Sequence, residues 1–139
     1  MSKCIQRQIA AGLKSRRANH FLIGMVLAAS AMVLLPSCSR PLSYAQDVRP
    51  ILVANCLQCH QPDGIGYERS GLDMRTYDSL MKGTKYGRVI IPGDSFDSVL
   101  VQLIEHRADP TINMPFHKTH LTNFEIDKVK IWIDEGAKP

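Results

Sequence analysis

The sequence lacks the features that mark several common classes of protein. After residue 38 it carries only two cysteines, which excludes a disulfide framework and leaves no second cysteine pair for a zinc site. Aromatic residues make up 6% of the chain and no basic stripe is interleaved with them, so nucleic acid is not an expected partner. No useful length of sequence alternates polar with apolar residues, and there is no internal repeat. These absences argue against a β-sheet protein and a repeat protein.

Acidic residues are missing from the first 38 residues, which contain five Lys and Arg. This segment therefore has a charge of +5. The other 101 residues carry 12 Lys and Arg against 13 Asp and Glu, a charge of −1, and the two parts sum to the net +4 of the chain. The basic character therefore belongs to the leader and does not describe the folded part.

The leader has the composition of an export signal. A basic segment precedes the apolar run Phe21–Leu35, which is short for a membrane span and suits the hydrophobic region of a signal peptide. The run ends at Pro36-Ser37-Cys38, where a small residue before cysteine resembles a bacterial lipobox. We therefore predict lipidation at Cys38 and an exported, periplasmic protein attached to the membrane.

Two other fates of the leader stay open. Cleavage after Ala45 would follow the small-x-small form of Ser43-Tyr44-Ala45, and an uncleaved run would remain as an N-terminal anchor. The predicted organisation is a leader at residues 1–38, a short linker at 39–44 and one domain at 45–139.

The apolar spacing of that domain predicts four helices and no strands of useful length. Two helices are expected at about 45–57 and 77–82. A third is expected from a cap at Asp94 or Ser95 to about residue 107. The fourth starts at the capping box Thr122-Asn123-Phe124-Glu125 and ends at Gly136. Residues 61–73, 83–93 and 108–120 are predicted loops, so the fold class is all-α.

The segment Cys56-Leu57-Gln58-Cys59-His60 carries the strongest chemical signal in the chain. Two thiols three residues apart on one helical turn can reach both vinyl groups of a haem, and the adjoining imidazole can bind its iron. This geometry is the reason why a C-x-x-C-H motif binds haem covalently. A redox disulfide would require a βαβ setting, and zinc would require two further ligands. We therefore predict one covalent haem c on Cys56 and Cys59, with His60 as an axial ligand.

The second axial ligand is less strongly specified. Met114 is favoured because it lies in an irregular loop before Pro115, where a side chain can reach the iron more readily than from a regular helix. His117 and His120 are the alternatives. The other candidates considered are Met74, Met81 and His106. The choice matters because His/Met ligation raises the reduction potential, whereas a second histidine would lower it.

Several loop residues are predicted to support the haem. The carbonyl of Pro92 or Pro62 could accept a hydrogen bond from His60 and orient its ring. Three further residues are candidates for the surroundings of the haem propionates, since Arg suits carboxylates: Lys85, Tyr86 and Arg88.

A longer series of motifs resembles the planctomycete-type branch of class I cytochromes c and extends over nearly all of residues 44–137. This resemblance implies a compact helical fold with crossed N- and C-terminal helices around one haem, and it implies Met114 as the axial ligand. The sequence departs from the family pattern at Phe116, where a second proline commonly follows Met-Pro. The matching segments are Asp47–Leu52, Cys56–His60, Gly71–Tyr77, Val89–Asp94, Asn113–Pro115 and Trp132–Ala137.

The expected function is electron transfer. A haem with both axial positions filled has no open site for a substrate, so its iron exchanges single electrons between the ferric and ferrous states. No paired carboxylates, nucleophile–base pair or phosphate loop indicates an enzyme. The expected partners are a donor and an acceptor protein, among them a respiratory or photosynthetic membrane complex. The alternatives are an accessory subunit of a membrane oxidoreductase complex and a gas-binding haem sensor.

Overall fold

Short helices separated by irregular loops make up the part of the chain that the computed structural model describes, residues 40–139. A π-helical turn at Tyr44–Val48 leads directly into the first α-helix. The α-helices are α1 (Arg49–Asn55), α2 (Ile65–Ser70), α3 (Tyr77–Lys82), α4 (Val99–Ile104) and α5 (Asn123–Asp134).

The described residues contain no β-sheet; their only extended pairings are two isolated bridges, Thr84 with Gly87 and Ile91 with Asp94. The all-α prediction is confirmed in that sense. The predicted leader and the lipidation site Cys38 lie outside the described residues. Within residues 40–139 no helix is both long and apolar enough to cross a membrane.

The last helix begins where the sequence predicts. The Thr122 hydroxyl accepts a hydrogen bond from the Glu125 amide at 3.3 Å, and the Glu125 carboxylate accepts one from the Thr122 amide at 2.8 Å. This capping box satisfies two amides that the helix itself cannot bond. Gly136, with φ of 100°, follows the end of the helix. The same device, built from Thr76 and Ser79, starts α3.

The prediction for the third helix was wrong at its beginning. Asp94 and Ser95 do not cap it, because the Asp94 carboxylate accepts a hydrogen bond from the Asp97 amide and Ser95 bonds to Asp134 of α5. Polar side chains of this kind stabilise turns as well as helix starts. The helix therefore begins after Ser98 and extends only to Ile104.

Helix α2 lies inside a segment predicted to be a loop. It buries none of its residues, so it has no apolar periodicity that could reveal it. A backbone hydrogen bond near its start and a glycine at its end define the helix instead. The Tyr67 amide donates to the Cys59 carbonyl at 2.9 Å, and Gly71 closes the helix in a left-handed conformation with φ of 75°.

The core joins the two ends of the domain. Tyr44 and Val48 pack among the buried residues together with Trp132 and Ile133 of α5. The Trp132 indole donates to the Lys138 carbonyl at 2.7 Å, and the Tyr44 amide donates to the same carbonyl at 3.2 Å. The N-terminal and C-terminal helical segments thus contact each other, which is compatible with the predicted cytochrome arrangement.

Candidate haem site

An apolar cavity of about 670 Å³ lies on the side of the domain where α1 ends. Its volume is in the range of pockets that bind small molecules and cofactors. The cavity wall includes Cys56, Cys59 and His60 of the predicted attachment motif, together with Met114 and Pro115 from the loop after α4. The fold therefore brings segments more than fifty residues apart onto one cavity.

A tight turn presents the attachment motif to the cavity. Helix α1 ends at Asn55, and the Cys56 amide still donates to the Leu52 carbonyl at 2.9 Å. The Cys56 carbonyl then accepts from both the Cys59 amide, at 3.1 Å, and the His60 amide, at 3.0 Å. The two cysteines are not joined in a disulfide. Both thiols are thus available for thioether bonds to one bound group.

The His60 ring is buried against glycine. A Cβ atom at Gly66 would lie 2.8 Å from Cε1 and 2.9 Å from Nε2 of His60, so only glycine leaves space for the ring in this position. His60 is 8% exposed, and its Nδ1 is buried without a hydrogen-bond partner of good geometry among the described residues. Burial lowers the pKa of His60, against a smaller opposite effect of the Leu72 backbone. The imidazole is therefore neutral near pH 7, as a metal ligand must be.

The residues of the site fit haem c. Free thiols at the required spacing, a neutral imidazole and an apolar cavity are the donor set and the surroundings that such a group requires.

The Cys56 thiol is partly shielded from water. Burial raises its pKa to about 11, although the charge of Lys118 acts in the opposite direction. A thiol with a pKa this high is protonated at neutral pH and is a poor nucleophile. Lys118 also donates to the Gln58 side chain at 2.6 Å, so the loop after Met114 is connected to the spacer of the attachment motif.

Met114 is half-buried and both of its backbone polar groups are bonded. Its amide donates to the Leu103 carbonyl at 3.1 Å, and its own carbonyl lies 3.1 Å from Nε2 of His106. The two alternative ligands, His117 and His120, are exposed and do not line the cavity.

The other methionine candidates occupy different surroundings. Met74 is buried and lines the cavity, and its amide donates to the His60 carbonyl at 2.8 Å. Met81 packs against the hydrophobic core and is not part of the cavity wall.

Only some of the residues predicted to support the haem line the cavity. Arg88 and Tyr86 are exposed residues of the cavity wall, whereas Lys85, Pro92 and Pro62 are not part of it.

Sequence reasoning missed two contributors, Gly66 and Lys118. Gly66 follows His60 by six residues in a segment rich in glycine, which was a usable signal for a close backbone approach. Nothing in the sequence pattern indicates the pairing of Lys118 with Gln58, because it depends on the course of the loop.

Comparison with known families agrees with this geometry. Residues 56–115 match a family model described as Planctomycete cytochrome C. The match begins at the first cysteine of the attachment motif and ends at the residue after Met114. Searches of curated proteins and of solved structures found no significant match. The family indicates a haem-binding electron-transfer protein rather than an enzyme. Residues 56–115 are thus similar to the Planctomycete cytochrome C family, the family that the series of motifs resembles.

Proposed function

We propose that this chain is a monohaem c-type cytochrome that carries single electrons between exported or membrane-bound redox proteins. One observation carries the proposal: Cys56, Cys59 and His60 line the same apolar cavity as Met114. The match to a cytochrome c family over residues 56–115 supports it independently of the geometry.

The residues of the chain have distinct roles in this proposal. Cys56 and Cys59 hold the haem covalently, and His60 and Met114 are its axial ligands. The haem supplies a one-electron redox centre, and the apolar residues of the cavity keep water away from it. With both axial positions filled by protein side chains, the iron has no position at which a substrate could bind, and electron transfer does not require one.

We assign Met114 rather than Met74 as the second iron ligand because the two residues lie on different parts of the cavity wall. Met74 is hydrogen-bonded through its backbone to His60, which places it beside the first axial ligand. A second iron ligand would have to come from a part of the cavity wall other than the one that carries His60. Met114 comes from a separate segment, anchored on α4, that contributes another part of the cavity wall.

The optical spectrum of the oxidised protein tests this ligation. The wild-type protein should show the methionine–iron charge-transfer band, and Met114→Ala should lose it and shift the reduction potential downward. Met74→Leu is the matched control, because it replaces the other cavity methionine with a side chain of similar volume. A wild-type spectrum without the band, or a band that survives Met114→Ala, would overturn the assignment.

We also propose that the cytochrome is exported and attached to the membrane through lipid on Cys38. The support is the basic leader, its apolar run and the small residue before this cysteine. Several acyl chains on one residue would hold the protein firmly on a bilayer. Cys38→Ser should move the protein from the membrane fraction to the soluble or unprocessed fraction while leaving the covalent haem in place. An unchanged membrane fraction would favour an uncleaved anchor instead.

A further inference from the structure

We propose that His106 is a positioning residue that fixes the backbone of Met114 and thereby strengthens the bond between that methionine and the haem iron. The inference rests on the proposed function, since it takes Met114 to be the axial ligand. Its basis is a hydrogen bond across the loop after α4, together with an unusual residue at the end of that helix.

Helix α4 ends in a Schellman motif. The Arg107 amide donates to the Gln102 carbonyl at 2.9 Å, and the His106 amide donates to the Leu103 carbonyl at 3.3 Å. His106 has φ of 57° and occupies the left-handed position of this motif, where glycine is the usual residue. Glycine would end the helix at lower conformational cost, so helix termination alone does not require a histidine here.

The side chain of His106 forms a hydrogen bond to the backbone of Met114. Its Nε2 atom lies 3.1 Å from the Met114 carbonyl oxygen. A carbonyl oxygen can only accept a hydrogen bond, so Nε2 must carry the proton and donate it. With the bond from the Met114 amide to the Leu103 carbonyl, the end of α4 holds both backbone polar groups of this residue.

The ring that makes this bond is itself supported. The His120 ring packs edge-on against it, with centroids 3.9 Å apart and an interplanar angle of 70°. The residue before His106, Glu105, forms ion pairs with Lys130 of α5 and with Arg107, each at 2.6 Å. The position of the Met114 backbone is thus connected to the longest helix of the domain.

Loss of the His106 hydrogen bond should weaken the bond between the Met114 sulfur and the haem iron. If the Met114 carbonyl loses its donor, the loop gains conformations in which the sulfur atom lies away from the iron. One neutral hydrogen bond changes such an equilibrium by a factor of about two to ten. The open form has a vacant axial position and can bind an external ligand such as carbon monoxide when the protein is reduced.

The test compares three variants of the haem-loaded protein. His106→Gly suits the left-handed backbone and removes only the ring. His106→Gln restores an amide donor at about the same distance from the backbone. Asp63→Gly is the matched control, because Asp63 is an exposed residue with φ of 71°.

Two readouts distinguish positioning from general stability. His106→Gly should weaken the methionine–iron charge-transfer band and raise the extent of carbon monoxide binding by the reduced protein about fivefold, within the range expected for one hydrogen bond. His106→Gln should recover most of the wild-type behaviour, and Asp63→Gly should match the wild type in both readouts.

The failures of the two proposals are separable. A band that persists in Met114→Ala would reject the ligation itself. A band that depends on Met114 but is unchanged in His106→Gly would reject only the role of His106. Equal losses in His106→Gly and His106→Gln would also reject it, because the bulk of the ring, not the hydrogen bond, would then be responsible.

Discussion

The two parts of the haem site are built in opposite ways. The attachment segment, Cys56–His60, is held by a local network: four of its amides donate to carbonyls of residues 52 and 56. The ligand loop, residues 105–120, is irregular and exposed around Phe116–His120. It is held by bonds to α4 and by side-chain contacts of Glu105 with Lys130, of Arg107 with the Phe96 carbonyl and of Lys118 with Gln58.

This difference suits the chemistry that we propose for each part. Thioether bonds, once formed, require no further help from the fold, but the two thiols must first have a fixed spacing. A methionine–iron bond is weak and reversible, so its strength depends on how well the surrounding loop is held. Substitution of both cysteines in the attachment segment should therefore abolish covalent haem attachment, whereas substitutions that affect the loop should produce graded changes.

The largest effect is expected from the double variant Cys56→Ser with Cys59→Ser. Both sites of thioether formation are removed, so no haem should remain with the polypeptide on a denaturing gel stained for haem. Gln58→Ala, which changes only the spacer between the cysteines, should retain the stained band. Covalent haem in the double variant would disprove the attachment assignment.

Gly66→Ala should be the most damaging single substitution outside the motif. Helix propensity alone predicts that alanine stabilises α2 by about 1 kcal/mol. A Cβ atom 2.8 Å from the His60 ring predicts the reverse, a loss of about 2 kcal/mol in the free energy of unfolding.

Denaturant unfolding of the haem-loaded protein shows whether Gly66→Ala raises or lowers the free energy of unfolding. Glu68→Ala, an exposed change on the same helix, should remain within about 0.5 kcal/mol of the wild type. Stabilisation by Gly66→Ala would show that the His60 ring does not need this space.

Glu105→Gln should weaken the anchor of the ligand loop. The hydrogen bond from Lys130, with a further one from Arg107, holds the pKa of Glu105 below its ordinary value of 4.5. A carboxyl group with a lowered pKa contributes stability above its unfolded value, and that contribution is lost as the pH falls through its folded value. Because the group is close to solvent, the expected loss at neutral pH is about 1 kcal/mol.

The pH dependence provides the check on that prediction. Unfolding free energies of wild type and Glu105→Gln, measured from neutral pH downward, should differ at neutral pH, begin to converge as the pH falls towards 4.5 and meet below the lowered pKa of the folded protein. A constant difference over this range would mean that the ion pairs are not its cause.

The smallest effect should come from the contact between the two parts of the site. Lys118→Ala removes the 2.6 Å hydrogen bond to Gln58, which is exposed and therefore contributes about 0.5 kcal/mol. A double-mutant cycle with Gln58→Ala should give a coupling free energy of that size in thermal or denaturant unfolding. A coupling of zero would show that the loop and the attachment segment are energetically independent.

The elements that could be predicted from the sequence are those with a local cause. The capping box at Thr122 and the short helix at Tyr77–Lys82 were predicted correctly because their signals lie within a few residues. Helix α2 was missed because it has no buried face, and α4 was predicted too long at its start because Asp94 and Ser95 bond elsewhere. Those bonds depend on contacts with α5 and on turn geometry.

For the site, the sequence by itself was enough to predict the covalent chemistry. Cys56, Cys59 and His60 lie within five residues, so their spacing alone specifies how they can hold a haem. The tertiary structure decided which distant residues meet them. It placed Met114 on the cavity wall, left His117 and His120 exposed, and brought Gly66 against the His60 ring. These outcomes depend on the paths of loops, which are fixed by packing and hydrogen bonds between segments far apart in the chain.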